Sequence, residues 1–135
     1  MNTNILNTIN MDEQDIMNMN VYLPTVHKLL FIDKVTELEW LFRVEYKKGN
    51  VNAGQFMQVS LPGVGESPIS VANFDLEEGY LDFLIRKVGK VTDKIFELKA
   101  GDRIFLRGPY GNGFPIEEYK NKHIVMVVGG SGIAP

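Results

Sequence analysis

An all-β fold is expected: a small antiparallel barrel or sandwich of about six strands with one short helix. The first strand of a truncated α/β nucleotide-binding domain should follow it. Three observations predict this. Apolar and polar residues alternate in short runs between positions 27 and 107, the period-2 mark of half-buried strands. Turn signals rich in glycine separate those runs, as the backbone reversals require. Finally, the apolar run His123-Ile124-Val125-Met126-Val127-Val128 passes directly into Gly129-Gly130-Ser131-Gly132. A buried parallel strand entering a phosphate-cradling turn has this form.

Residues 1–20 stand apart. Asn2, Asn4, Asn7, Asn10, Asn18 and Asn20 are interspersed with Ile5, Leu6, Ile9, Ile16, Met17 and Met19, and Asp12 is placed to cap a short helix from Glu13. Two readings stay open here: a loosely ordered tail, or an apolar helix that docks on a partner or a further domain. From Tyr22 the pattern is β. His27 to Val35 carries Leu29, Leu30, Phe31 and Ile32. Trp40, Phe42, Val44 and Tyr46 then alternate with Arg43 and Glu45. Met57, Val59 and Leu61 lie opposite Gln58 and Ser60. Leu81, Phe83 and Ile85 alternate with Asp82, Leu84 and Arg86, and Ile104 and Leu106 with Arg103, Phe105 and Arg107. Lys48-Gly49-Asn50, Leu61-Pro62-Gly63, Glu78-Gly79 and Ala100-Gly101-Asp102 supply the turns. One helix fits Thr92 to Leu98, with Thr92 as its cap and Asp93 in its first turn. The implied organisation is a tail or helix over 1–20, a barrel over 21–120 and the start of a second domain over 121–135. A lone strand and turn cannot bury both faces, so the chain reads as a fragment of a longer protein.

The bulk numbers exclude several classes. The length of 135 residues suits one domain, and 44% apolar with 23% charged residues is ordinary for a globular chain. A net charge of −3 gives no support for nucleic-acid binding. The absence of cysteine removes disulfides, thiolate metal sites and thiol catalysis from this chain. No apolar run approaches the roughly 20 residues of a membrane span, and no secretory signal opens the chain. A cytoplasmic protein without membrane contact is expected. No metal site and no catalytic acid or base is read from the sequence. His27 and His123 fall at expected strand ends and suit packing or surface roles. Asp75, Glu77 and Glu78 form an acidic turn without a His or Cys partner for a metal.

Four segments can carry chemistry. In Glu66-Ser67-Pro68-Ile69-Ser70-Val71, Pro68 removes a donor and belongs at a strand start or sheet edge. Nearby backbone groups are then open to a ligand, with the Ser70 hydroxyl and the Ile69 side chain beside them. Plain turn chemistry is the alternative. In Arg86-Lys87-Val88-Gly89-Lys90-Val91-Thr92 a strand runs into a helix. Gly89 permits close backbone approach, the helix start favours a phosphate, and Arg86 and Lys90 add positive charge. An ordinary turn with solvated basic residues is the alternative there. Arg107-Gly108-Pro109-Tyr110-Gly111-Asn112-Gly113-Phe114 forms a third loop, in which Tyr110 and Phe114 are placed to flank a planar ring or to pack in an interdomain seam. The fourth segment is the terminal Gly129-Gly130-Ser131-Gly132 turn.

In this order, from about Tyr22 to Pro135, the segments resemble the ferredoxin–NADP+ reductase superfamily. The nearest likeness is to its electron-transfer branch, which holds the electron-transfer subunits of anaerobic sulfite reductase and of dihydroorotate dehydrogenase together with hydrogenase gamma subunits. The resemblance implies a Greek-key barrel that binds FAD, followed by an α/β domain that binds NAD(P)H. The family's Arg-x-Tyr-Ser flavin motif falls on Ser67-Pro68-Ile69-Ser70. Ser70 matches, and the resemblance assigns it a hydrogen bond near the reactive flavin nitrogen. Ser67 replaces the arginine that contacts phosphate, and Ile69 replaces the tyrosine that stacks on the ring, as in the sulfite reductase and hydrogenase branch. The family's Gly-x-x-Ser/Thr phosphate motif falls on Gly89-Lys90-Val91-Thr92, next to Val88. Gly129, Gly130 and Gly132 fall on its nicotinamide-nucleotide loop.

The implied function is electron transfer from NAD(P)H through FAD to iron–sulfur and catalytic subunits of a reductase complex, with a sirohaem sulfite reductase as the expected destination. The flavin brings the chemistry, while the protein binds and orients it. A regulatory or assembly subunit that keeps the barrel without a cofactor is the rival, kept open by Ser67 and Ile69. A non-enzymatic binding barrel is opposed by the apolar run into glycines. An oligonucleotide-binding barrel is opposed by the net charge.

Overall fold

The structure, a computed structural model, describes residues 20–135; the readings offered for residues 1–19 lie outside it. Seven strands follow the alternation closely: β1 Thr25–Lys34, β2 Glu39–Glu45, β3 Phe56–Leu61, β4 Gly65–Ser70, β5 Asn73–Asp75, β6 Tyr80–Arg86 and β7 Arg103–Tyr110. They form one sheet in the order β4-β3-β7-β1-β2-β6-β5, and every pairing is antiparallel. The strand beyond the six expected is β5. Its three residues are too few to show an alternation.

The two ends of this sheet are joined by two residues, Val71 and Ala72. The Val71 N–H donates to the Gln55 carbonyl at 3.0 Å, beside β3. The Ala72 N–H donates to the Asp82 carbonyl at 2.9 Å, on β6. So short a link forces the sheet to curl on itself, which closes the barrel at this corner. Phe42, Val44, Met57, Val59, Leu81, Phe83 and Ile104 fill the interior with no exposed surface. These are the positions that the period-2 pattern turns inward.

On the opposite face of β6, Asp82 is held by Arg43 of β2 through two bonds of 2.8 Å, and Asn73 of β5 adds one of 3.2 Å. The Arg43 guanidinium also lies 3.8 Å above the Tyr80 ring. A single carboxylate therefore ties three strands together.

His27 is the third residue of β1, not a strand end, and it is buried. Nδ1 lies 2.8 Å from the Glu45 carbonyl and Nε2 2.7 Å from the Thr25 hydroxyl. A carbonyl only accepts, so Nδ1 carries the proton and neutral Nε2 accepts from Thr25. Burial holds the imidazole below its usual value of 6.5. The unfolded chain therefore binds the extra proton more readily. Stability from this site should be complete above the unfolded value and fall as pH drops below 6.5, by at most about 1.4 kcal/mol per pH unit. Urea unfolding between pH 5 and 8 should show this slope, and His27→Gln should flatten it.

The helix departs from expectation. It is α1, Lys90–Ile95, with Gly89 as N-cap, and it starts before Thr92 rather than at it. Thr92 lies one turn in and caps in reverse, its side chain serving the backbone behind it. A glycine N-cap offers no side chain to read. A second short helix, α2, spans Ile116–Tyr119. The run from His123 to Val128 has no strand assignment, and Val125 and Val127 are 88% and 93% exposed. A strand exists only against a ladder partner, and no described strand pairs with this run.

Candidate functional site

The candidate site is the open side of the curled sheet, bounded by β4, by β6 and by α1, which packs on β3 and β4. Val71 bonds toward β3, and antiparallel bonding alternates. Ser67 and Ile69 therefore also turn their backbone groups to β3. Glu66, Pro68 and Ser70 turn theirs to the bare edge. Pro68 thus occupies a position where its missing N–H costs no ladder bond. Side chains follow the same alternation. Ser67 and Ile69 share the interior-side face with Met57 and Val59, whereas Pro68 and Ser70 share the outer face with Gln58 and Phe56.

The far end of β4 meets α1. A Cβ on Gly65 would lie 3.3 Å from Val91 Cγ2, and Gly65 has a φ of +137°. Only glycine adopts that backbone readily, so this residue admits the start of α1 alongside the β4 edge. The Gly65–Val91 approach is what brings the two best sequence segments together. Gly89 is different. Its φ of 179° is extended backbone open to any residue, and a Cβ there would meet nothing within 4 Å. The space above Gly89 is open.

Thr92 is 5% exposed and its hydroxyl is fully used. It accepts from the Val88 N–H at 2.9 Å and the Gly89 N–H at 3.0 Å, and it donates to the Gly89 carbonyl at 3.0 Å. Two lone pairs and one proton allow no more. These bonds lock the turn, leaving the amides of Lys90, Val91 and Thr92 unpaired by the helix. Arg86 pairs with Glu39 at 3.3 Å, so part of its charge is already neutralised. Lys90 is exposed and has no ion-pair partner among the described residues. Val88 stands largely in solvent beside the turn.

Sequence reasoning missed Gln58 as a neighbour of the site, and it read Arg107 only as the start of the third segment. Gln58 lies opposite Pro68 on one side and Arg107 on the other. Its buried Oε1 has no partner among the described residues. Arg107 binds Glu66 and, at 2.8 Å, the Tyr110 hydroxyl, and the Glu66 carboxylate holds its guanidinium above the ordinary range. Only strand pairing across β3 reveals this row. Tyr110 and Phe114 have separate tethers. Tyr110 packs on Phe56 at 5.6 Å and donates to the Val21 carbonyl at 2.6 Å. Phe114 lies over Gly54, where a Cβ would come within 2.8 Å of its ring. Among the described residues no cluster of His, Cys, Asp or Glu could hold a metal, and no helix is long and apolar enough to cross a membrane.

The curled antiparallel sheet, with a bare edge strand beside a backbone-locked helix start, is a barrel of the ferredoxin reductase-like type, as its likeness to solved structures shows. The family model described as the oxidoreductase FAD-binding domain matches residues 35–114, more than half of the chain. The chain belongs to that family. It is 39% identical over 124 residues to sulfhydrogenase 1 subunit gamma of Pyrococcus furiosus, covering 87% of this chain and 42% of that protein. It is 45% identical over 89 residues to a probable dihydroorotate dehydrogenase B (NAD(+)) electron transfer subunit of Pyrococcus horikoshii, covering 66% of this chain and 32% of the relative. Among solved structures, an NADH-dependent reduced ferredoxin-NADP oxidoreductase superposes with a TM-score of 0.62 at 28% identity, covering 67% of this chain and 34% of the other. The ferredoxin reductase of carbazole 1,9a-dioxygenase gives 0.59 at 27% identity, covering 66% and 29%. The chain spans less than half the length of these curated relatives.

Proposed function

We propose that this chain is the FAD-holding part of an electron-transfer subunit that accepts reducing equivalents from NADH or NADPH and passes them to iron–sulfur and catalytic partner subunits. The observation that carries this reading is the meeting of the β4 edge with the locked Val88–Thr92 turn at Gly65 and Val91. The donor set suits a dinucleotide. Amides of Lys90, Val91 and Thr92 would take the pyrophosphate, with Lys90 supplying charge that Ser67 does not. Edge groups of Glu66, Pro68 and Ser70 would read the polar rim of the ring. When bound, FAD supplies the two-electron to one-electron conversion. The chain's residues bind and orient it.

Thr92 enters this site as an organiser rather than a direct ligand, because its hydroxyl is spent on Val88 and Gly89. The relatives' names support a hydrogenase-type or dihydroorotate-type complex. His123–Val128 with Gly129, Gly130 and Gly132 is assigned as the first strand and nucleotide loop of an NAD(P)H-binding domain. Support comes from its unpaired, exposed apolar backbone and from Gly130 at a φ of +53°.

The test uses Trp40, the single tryptophan, which stacks on Phe96 at the end of α1 with ring centres 4.6 Å apart. Its emission should be quenched saturably by FAD, and tighter than by FMN, which lacks the adenosine phosphate. A second reading, a cofactor-free regulatory subunit, is favoured by Ser67 and Ile69 alone. No saturable response to either flavin would support it instead, whereas equal responses would keep a flavin site and remove the phosphate role of Lys90 to Thr92.

A further inference from the structure

The barrel has a second opening, at the end away from α1. A cavity of about 350 Å³ lies there among Val21, Leu23, Tyr46, Lys48, Met57 and Leu106, with none of its lining drawn from β4 or α1. Volumes of this order hold small ligands, and barrel mouths are a common place for them. At about 30 Å³ per water-sized group it admits roughly a dozen non-hydrogen atoms.

The lining is chemically lopsided. Val21, Leu23, Met57 and Leu106 make an apolar wall. Lys48, the one charged residue of the lining, and Tyr46 are its largest polar residues, beside Asn20, Thr25 and Asn50. Tyr46 is 4% exposed. Lys48 has no ion-pair partner among the described residues. Burial raises the Tyr46 phenol and, at the more open Lys48, lowers the ammonium from their usual values. A cation beside an apolar wall suits an anion with an apolar body.

We propose that this barrel mouth binds a small amphipathic monoanion, its carboxylate at Lys48 and Tyr46 and its apolar body against Leu23, Met57 and Leu106. The site is independent of the flavin reading, since it shares no lining residue with the β4 edge or α1.

The experiment is a two-dimensional NMR titration of the whole chain with sodium octanoate, and with 1-octanol as the uncharged control. Octanoate should shift the amides of Thr25, Tyr46, Lys48, Met57 and Leu106 saturably, leaving Gly65–Ser70 and Val88–Thr92 unmoved. Lys48→Gln should weaken octanoate roughly tenfold or more, the value of a hydrogen bond to a charged group, without changing octanol. Leu23→Trp, at a partly exposed position on the rim, should block both. The proposal is overturned by any of three results: no saturable shift at millimolar octanoate, shifts centred on β4 and α1, or octanoate binding that ignores Lys48→Gln.

Discussion

Thr92→Val is expected to lower FAD affinity by roughly 30-fold to 100-fold while the barrel stays folded. The substitution keeps shape and branching but removes the hydroxyl that takes the Val88 and Gly89 N–H groups and gives its proton to the Gly89 carbonyl. Val88 and Gly89 are exposed, so water recovers part of the loss. Stability should fall by about 1–2 kcal/mol, the lower part of the range for unmade hydrogen bonds. The larger effect is on binding. A turn of two residues then has to be ordered when the cofactor arrives, at about 1–2 kcal/mol per residue. Thr92→Ser should restore both quantities. Amide exchange of Val88 and Gly89 in the cofactor-free chain is the decisive measurement. If FAD affinity falls while exchange and stability are unchanged, the hydroxyl touches the cofactor itself. Gly89→Ala makes the complementary test: its extended backbone and empty surroundings predict unchanged stability. A loss of affinity there reports a ligand lying close over the backbone.

Asp82→Ala is expected to cost about 3 kcal/mol of stability in urea unfolding. Its side chain is 4% exposed and that of Arg43 is 34% exposed. Removing one partner of a buried pair costs about 3–5 kcal/mol. The lower end applies because Arg43 can turn toward water. Arg43→Leu should be worse, since the buried carboxylate keeps only Asn73. The double substitution should recover much of the deficit. Such a cycle separates the worth of the pair from the penalty of stranding one charge.

The alternation of apolar residues made most strands legible, because one face of each is buried and the other is not. β5 was not legible because three residues carry no period. The helix start was displaced because Thr92, a residue typical of an N-cap, serves the turn from inside the helix. Within the site, Pro68 pointed correctly to a sheet edge from its missing donor alone. Its neighbours Gln58 and Arg107 were hidden, since their row depends on the β3–β4 and β3–β7 registers. The nearness of Gly65 to Val91 was hidden for the same reason. No local pattern encodes a contact between residues so far apart in the chain.

The β4 edge has a consequence for self-association. An unpaired strand is a template on which a second polypeptide can add and start aggregation. Here the outward row offers N–H groups only at Glu66 and Ser70, because Pro68 between them has none. Glu66 also carries a charge, held by Arg107. An incoming strand would meet a broken row of donors and a fixed ion pair, whereas a compact ligand needs only one or two of those groups. The proline that leaves this edge open to a small molecule also closes it to a neighbouring chain. Pro68→Val should therefore shift the protein toward soluble oligomers at high concentration, a change that light scattering would detect.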